Sequence, residues 1–310
     1  MSDTFPLEGI AALSHLGVLR ARGEDAVSFL QGQLTNDVAG LAMSEARLAG
    51  YCSAKGRLLA SFLVWKVAPD ELLLACSADV LAATLKRLTM FVLRAKCRLS
   101  DASAEVALFG LAGATARGWL GAGAPNAPWR IGEHDGARVL RLPDAAGTPR
   151  YILATQGGAA SPQLPPLSLE SWRWLEVQSG VPLIEAVNVE QFVPQMVNLE
   201  LVGGVNFQKG CYPGQEVVAR SHYRGTLKRR MALFDSVADS HAGDDVFHDD
   251  DPSQPAGRVV NAASSPLGGS SALIEVKLAG LASGRLHLQS LEGAVLERRP
   301  LPYALALETA

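Results

Sequence analysis

One cysteine lies among residues that could tune its chemistry. The octapeptide at 209–216 reads Lys-Gly-Cys-Tyr-Pro-Gly-Gln-Glu, and it places Cys211 one residue after a glycine and two after Lys209. Proline is favoured at the first position of a helix, so a helix is predicted from Pro213 onward. The positive end of that helix and the Lys209 ammonium would favour the thiolate, the form that acts as nucleophile or metal ligand. The alternative is an inert, buried cysteine in a glycine-rich turn.

The other cysteines give no metal-binding pattern. Cys52, Cys76, Cys97 and Cys211 are scattered, without a CxxC pair and without a histidine at ligand spacing. Neither a closed zinc site nor a complete iron-sulfur cluster site within one chain is therefore expected, and no metal is predicted.

Composition describes an ordinary globular protein. The chain has 310 residues, of which 48% are hydrophobic and 19% charged, enough for two or three domains with cores of their own. No stretch approaches the ~20 apolar residues of a membrane span, and no basic residue precedes an apolar run at the N-terminus. A cytoplasmic protein without membrane contact is predicted.

Charge is uneven along the chain although the net charge is only -3. A basic stretch at 220–230 contains Arg220, Arg224, Lys228, Arg229 and Arg230. It is followed at 235–251 by seven aspartates. Such a basic stretch could hold an anionic ligand or attract nucleic acid, but a solvated face is the commonest explanation for a run of charges. Because no RNA-binding motif and no aromatic platform beyond Tyr223 accompanies it, direct nucleic-acid binding is not predicted.

The elements that must position these residues are short strands mixed with helices. Strands are expected at 48–52, 58–67 and 71–76 as a meander, and helices at 77–94, at 113–120 and at 169–178, where Ser168 is a good cap. This pattern predicts an α+β fold with antiparallel sheets rather than a doubly wound parallel sheet. Short β-like runs after 226 predict a small C-terminal β-barrel. The expected domains are 1–225, with a further division near 157–168, and 226–310.

Three sequence blocks carry a family resemblance. They are QGQLTND at 31–37, YCSAKGR at 51–57, and the run FVPQMVNLELVGGVNFQKGCYPGQEVVARSHYRGTLKRR at 192–230. The octapeptide matches the signature KGCYxGQE of the YgfZ family of folate-binding proteins, which is related to the aminomethyltransferase, or T-protein, of the glycine cleavage system. The chain resembles this family over about residues 10–235.

The resemblance implies an aminomethyltransferase-like folate-binding region with ferredoxin-like antiparallel subdomains, followed by a C-terminal β-barrel. It implies tetrahydrofolate or a derivative as ligand, and iron-sulfur proteins or their assembly factors as partners. The family's role is in making or maintaining iron-sulfur enzymes, one of which is a radical enzyme that thiolates tRNA. The link to tRNA would therefore be indirect.

By the same resemblance, Cys211 and Lys209 are candidate catalytic residues. The candidate folate-binding residues are Trp172, Gln31, Thr35, Asn36, Tyr212, Gln215, Glu216, Arg220 and Arg224. Each has a structural alternative: core packing for Trp172, helix-end and turn hydrogen bonds for Gln31, Thr35 and Asn36, and solvation for the basic residues. Glu185 or Glu190 could accept the donor edge of a pterin, or be a surface charge.

Two positions depart from the relatives. In the aminomethyltransferases an acidic pair follows the glycine that corresponds to Gly56, whereas this chain has Ala60 and Ser61. Loss of that carboxylate would cost a proton transfer roughly 10²-fold or more, so glycine cleavage is not expected. Leu16 stands where a second folate-stacking tryptophan can occur in the family.

Three hypotheses follow. The first is an accessory protein of iron-sulfur metabolism in which tetrahydrofolate binds beside Cys211. The second is a one-carbon transferase on another substrate, with Asp37 or Glu216 replacing the lost acid. The third is a folate-sensing interaction protein in which Cys211 serves only the turn.

Overall fold

Five helices and sixteen strands lie in the part of the chain that the computed structural model describes, namely 7–156, 162–223 and 227–305. The helices are α1 (Ala26–Gln31), α2 (Ala78–Val92), α3 (Gly113–Leu120), α4 (Leu169–Gln178) and α5 (Gln215–Tyr223). The strands are β1 (Gly9–Ala12), β2 (Leu16–Arg22), β3 (Ala46–Cys52), β4 (Leu58–Ala68), β5 (Glu71–Ser77), β6 (Arg98–Asp101), β7 (Val106–Ala112), β8 (Ile131–His134), β9 (Ala137–Ala145), β10 (Thr148–Gln156), β11 (Arg229–Ser236), β12 (Asp245–His248), β13 (Gly257–Ser264), β14 (Ser270–Lys277), β15 (Leu286–Leu288) and β16 (Glu297–Arg299). None of these helices has the length and hydropathy of a membrane span within the described ranges.

Antiparallel pairing builds three sheets. Their strand orders are β3-β4-β5-β2-β6, β1-β7-β10-β9-β8 and β15-β12-β13-β14-β11-β16. The predicted α+β fold with antiparallel sheets is confirmed, and so is the meander, since β3, β4 and β5 are consecutive neighbours. Alternating or continuous apolar runs account for this, because strands with one or two buried faces need such patterns.

The helices begin and end close to their predicted limits. α3 and α4 match the predicted ranges, and Ser168 Oγ accepts a hydrogen bond from the Ser171 backbone N–H at 3.1 Å, as expected of an N-cap. α2 buries Leu81 and Leu88 on one face and stops at Val92, two residues before the predicted end.

The C-terminal strands form an open six-stranded sheet, so the predicted separate β-barrel is not confirmed. Its two outer strands, β15 and β16, pair with β12 and β11 and are not neighbours of one another among the described residues. Successive side chains of β11 point to opposite faces of the sheet, and both faces are buried. Ala232 and Phe234 pack in one apolar cluster. Met231 and Leu233 pack in another, which includes Leu58, Val197 and Val218. The sheet therefore shares a core with earlier parts of the chain.

Two compact units divide the chain, and neither is continuous in sequence. The first contains the chain up to Gln31, Asp37–Leu48 and Phe62–Trp172; the second contains Gly32–Asn36, Ala49–Ser61 and the chain from Arg173 onward. The predicted boundary at 225/226 falls inside the second unit, because one cluster joins Cys52, Leu58 and Val218 to the C-terminal strands. Of the division expected near 157–168, residues 157–161 lie outside the described residues and 162–168 lie inside the first unit.

Candidate functional site

The short segment Gly32–Asn36, in the second unit, is hydrogen-bonded to two other parts of the chain that lie in or next to the sequence motifs. Thr35 is fully buried; its Oγ1 donates to the Gly204 carbonyl at 2.6 Å and accepts from the Gly50 N–H at 2.7 Å. The amide of Asn36 donates to the Gly203 carbonyl at 2.7 Å. The first sequence block is thereby bound both to strand β3 and to the loop that leads into the octapeptide.

Lys209 binds the octapeptide to the same loop. Its ammonium donates to the Leu34 carbonyl at 2.6 Å and lies 5.1 Å from the centroid of the Tyr212 ring. Tyr212 is 7% exposed, and burial raises the pKa of its hydroxyl, with a smaller contribution from Cys52. A neutral phenol ring beneath a cation is a favourable cation–π arrangement. Lys209 therefore orients the turn that follows it.

Two glycines hold the octapeptide against the second sequence block. Gly214 and Gly56 both have positive φ, +78° and +71°. A Cβ at Gly214 would overlap the Ser53 carbonyl oxygen and come within 2.6 Å of the Gly56 backbone nitrogen and Cα. A Cβ at Gly56 would come within 2.8 Å of Val217. Only glycine permits both the backbone conformation and this approach of one backbone to the other.

Cys211 lies on the surface of this fixed turn. Its side chain is exposed, so the inert buried cysteine considered for this position is excluded. Helix α5 begins at Gln215, not at Pro213 as predicted, because Gly214 has a left-handed φ that interrupts the helix. Three residues therefore separate Cys211 from the first helical residue, and the helix end is farther from Cys211 than expected. Gln215 is half-buried, and Glu216 and Arg220 are exposed on α5.

The other three cysteines lie in environments that suppress the thiolate. Burial raises the pKa of Cys52 to about 12, and burial together with the charges of Asp79 and Asp101 raises that of Cys76 to about 12. Burial and the Asp25 carboxylate also raise the pKa of Cys97, which is half-buried. A pKa near 12 leaves about one thiol in 10⁴ ionised near pH 8, so these groups are poor nucleophiles.

We therefore expect one of the four thiols to react rapidly with a disulfide reagent in the native protein. Cys211 is exposed, whereas Cys52 and Cys76 are both buried and un-ionised. The measurement is thiol titration near pH 8 before and after denaturation, with Cys211→Ala as the comparison. Persistence of the rapid phase in Cys211→Ala would show that another cysteine is the reactive one.

Two predicted ligand residues, Gln31 and Trp172, belong to the first unit. Gln31 Oε1 accepts from the Val38 and Ala39 N–H groups at 2.6 and 3.0 Å, which is the turn-forming alternative. Trp172 is 0% exposed; a Cβ at Gly110 would lie 2.5 Å from its indole, and the Arg150 guanidinium lies 5.6 Å from its ring. These contacts are those of core packing, and the ligand role of both residues stays a prediction.

The basic stretch is divided by the fold. Arg229 pairs with Glu275, and Arg230, 8% exposed, pairs with Glu200, so neither presents its charge to solvent as a patch would. Arg220 and Lys228 are exposed, and Arg224 lies outside the described residues. Of the two pterin-edge candidates, Glu185 pairs with Arg173 at 2.6 Å and Glu190 is exposed.

Two buried polar atoms were not singled out from sequence. Gln33 Oε1 and Ser53 Oγ have no hydrogen-bond partner within the described ranges, and both lie in the second unit. Buried polar atoms are normally satisfied, so orphaned ones indicate an unfilled polar contact. Both residues belong to the motif blocks at 31–37 and 51–57, which is the signal that could have identified them.

Ala60 and Ser61 are structural. Ala60 is fully buried; Ser61 Oγ donates to the Pro182 carbonyl at 3.3 Å and accepts from the Ile184 N–H at 2.9 Å. No carboxylate can act from these positions. The described residues also contain no group of three or more His, Cys, Asp and Glu side chains suited to a metal ion.

Residues 8–133 match the family model described as the GCVT N-terminal domain. Two proteins named tRNA-modifying protein YgfZ, from Sodalis glossinidius and Photorhabdus laumondii, are each 31% identical and are matched over 98% of this chain and 95% and 94% of their own. A third, from Edwardsiella ictaluri, is 34% identical over 74% of this chain and 72% of its own.

A solved structure shares the fold. The glycine cleavage system aminomethyltransferase T from Bartonella henselae superposes with a TM-score of 0.75 at 18% identity, covering 96% of this chain and 87% of its own. At that identity the likeness establishes an aminomethyltransferase-like fold and no shared reaction.

Proposed function

The chain belongs to the YgfZ family, and from this we propose that it binds tetrahydrofolate or a derivative and acts in the cytoplasm as an accessory protein for the synthesis or repair of iron-sulfur enzymes. Its role in tRNA modification would then be indirect, through an iron-sulfur enzyme that thiolates tRNA. Cys211 would be the reactive group.

The observation that carries the proposal is the way Cys211 is presented. Its thiol is exposed, yet the turn that holds it is fixed on one side by the Lys209–Leu34 hydrogen bond and on the other by the Gly56–Gly214 junction. A cysteine that served only the turn would need neither exposure nor this support. An exposed thiol on a rigid support suits reaction with, or ligation to, a group on a partner protein.

The polar residues next to this turn fit a folate. The Thr35 hydroxyl and the Asn36 amide are hydrogen-bonded to the Gly204 and Gly203 carbonyls and hold the loop. Gln33 Oε1, by contrast, is an acceptor without a partner among the described residues. A pterin has a donor edge that such an acceptor can bind, and Ser53 Oγ could donate or accept. Tetrahydrofolate, when bound, would supply a carrier for a one-carbon unit.

The one-carbon transferase alternative lacks a suitably placed acid. Burial alone would raise the pKa of Asp37, but hydrogen bonds from the Gly40 N–H at 3.1 Å and from Arg47 at 3.2 Å lower it overall. Asp37 is thereby held as a carboxylate and is a poor proton donor. Glu216 is exposed on α5, where water competes with any substrate. Neither residue replaces the carboxylate missing at Ala60 and Ser61.

Tetrahydrofolate should quench the intrinsic tryptophan fluorescence saturably, and Gln33→Leu should weaken its binding about three- to tenfold through loss of one hydrogen-bond acceptor. Gln208→Leu, a change at an exposed glutamine in the second unit, is the matched control and should bind like wild type. Trp172→Phe tests whether Trp172 reports the ligand. Absence of saturable binding by the wild-type protein would refute the folate proposal.

A further inference from the structure

The end of helix α2, in the first unit, has a surface that the folate proposal does not use. We propose that this α2 tip, defined as Met90, Phe91 and Leu93 with the basic residues Lys86, Arg87, Arg94, Lys96 and Arg98, is a docking site for a partner protein. The partner surface it fits is an apolar pocket surrounded by carboxylates. This inference is independent of what binds beside Cys211.

Three large apolar side chains at the tip face solvent. Met90, Phe91 and Leu93 are 59%, 45% and 87% exposed, although the other face of α2 is buried through Val80, Leu81 and Leu88. Exposed apolar side chains scattered singly need no explanation, but three within four residues form a patch. The patch lies at a helix end, where a pocket on another surface could receive these exposed side chains.

Leu93 combines an unfavourable backbone conformation with an exposed side chain. It is the C-cap residue of α2 with φ 42° and ψ -100°, and a positive φ is unfavourable for a leucine. Such conformations persist where the surrounding structure holds them in place, whereas here the side chain is almost completely exposed. Burial of Leu93 in a partner would supply the missing compensation.

The charge around the tip specifies the kind of partner. Residues 86–98 contain five basic and no acidic side chains, in a chain whose net charge is -3. Among the described residues, Lys96 pairs with Glu24 at 2.7 Å, and the Asp25 carboxylate accepts the Lys96 N–H. Arg22 lies opposite Arg98 in the β2–β6 pair, but it is itself paired with Glu71 at 3.6 Å. Lys86, Arg87, Arg94 and Arg98 keep the rim positive, and a positive rim complements carboxylates.

Other occupants fit less well. RNA would use the cations and an aromatic face, but Met90 and Leu93 contribute nothing to phosphate binding, and Arg87 lies 6.0 Å over the Phe91 ring. In a second copy, part of the acidic stretch at 235–251 is neutralised within the chain. There Asp235, Asp245 and Asp251 are already paired with Arg299, Arg258 and Lys277. A symmetric tip-to-tip dimer would place like charges together.

The test uses the full-length protein in its native bacterium. The photo-crosslinking residue p-benzoylphenylalanine is placed at position 93 and, as the matched control, at position 267, where Leu267 is 72% exposed in the second unit. A protein adduct formed at 93 and not at 267 is identified by mass spectrometry, purified and titrated against the wild-type chain. We expect its affinity to fall at least about tenfold between about 50 and 300 mM salt, as for charge-steered contacts.

Leu93→Glu should weaken that complex on the order of 20-fold or more, and Leu267→Glu should leave it unchanged. Both variants should keep the wild-type melting temperature, since both side chains are exposed, and both should keep wild-type tetrahydrofolate binding. The proposal is overturned if position 93 yields no specific adduct, if the adduct is RNA, lipid or a second copy of the chain, or if Leu93→Glu binds the purified protein normally.

Discussion

Gly214→Ala is expected to destabilise the protein by about 3 kcal/mol, a loss of roughly 6–12 °C in melting temperature. The residue has φ +78°, which costs an alanine about 1–2 kcal/mol. Its Cβ would also overlap the Ser53 carbonyl oxygen and approach the Gly56 backbone to 2.6 Å, and neither backbone segment can move without shifting strand β3 or β4. Calorimetric or denaturant unfolding of the purified variant measures the effect.

Gly210→Ala is the matched control, because a Cβ at Gly210 meets nothing within 4 Å. It is four residues away in the same octapeptide, and a change at such an open position should stay within about 0.5 kcal/mol of wild type. Equal stability of the two variants would mean that the two glycines do not hold the octapeptide against the second block. The turn beneath Cys211 would then not be fixed as we describe.

Local features of the fold were predictable because their causes are local. The ranges of α3 and α4 and the Ser168 cap follow from turn residues and apolar spacing within a few positions. The meander of β3, β4 and β5 follows from apolar runs separated by short turns.

Features that depend on distant partners were not predictable. Arg229 and Arg230 belong to a continuous basic stretch in sequence, but Glu275 and Glu200 neutralise them after folding. The C-terminal strands look like a self-contained barrel in sequence. Only the structure shows that Met231 and Leu233 pack against a core supplied by Leu58, Val197 and Val218. The helix start was misplaced because proline at 213 signals a helix, while the left-handed φ of Gly214 delays it.

The candidate site was predicted in part. The octapeptide, Thr35 and Asn36 are brought together in the second unit, as the motifs indicate, but the side chains of Thr35 and Asn36 hold the loop. The sequence could not single out the acceptor of Gln33 and the hydroxyl of Ser53 among the polar groups of their blocks, because only the folded structure reveals which buried polar atom has no partner.

Cys211→Ala should strongly reduce function without affecting folding. The side chain is exposed, so its loss removes no packing, and the free energy of unfolding should match that of wild type. An alanine cannot form a thiolate, so any nucleophilic or ligand role of this position ends with the substitution, and we expect a loss on the order of tenfold or more in supported activity. Cys97→Ala, at a half-buried cysteine, is the control and should behave as wild type.

The most direct measurement is complementation in a bacterial strain that lacks the protein, with the thiolated-nucleoside content of its tRNA and the activity of an iron-sulfur enzyme as readouts. Wild type and Cys97→Ala should restore both, and Cys211→Ala, expressed at the same level, should leave both near the level of the deletion strain. Full restoration of both readouts by Cys211→Ala would contradict the central claim that the exposed thiol on the octapeptide performs the protein's chemistry.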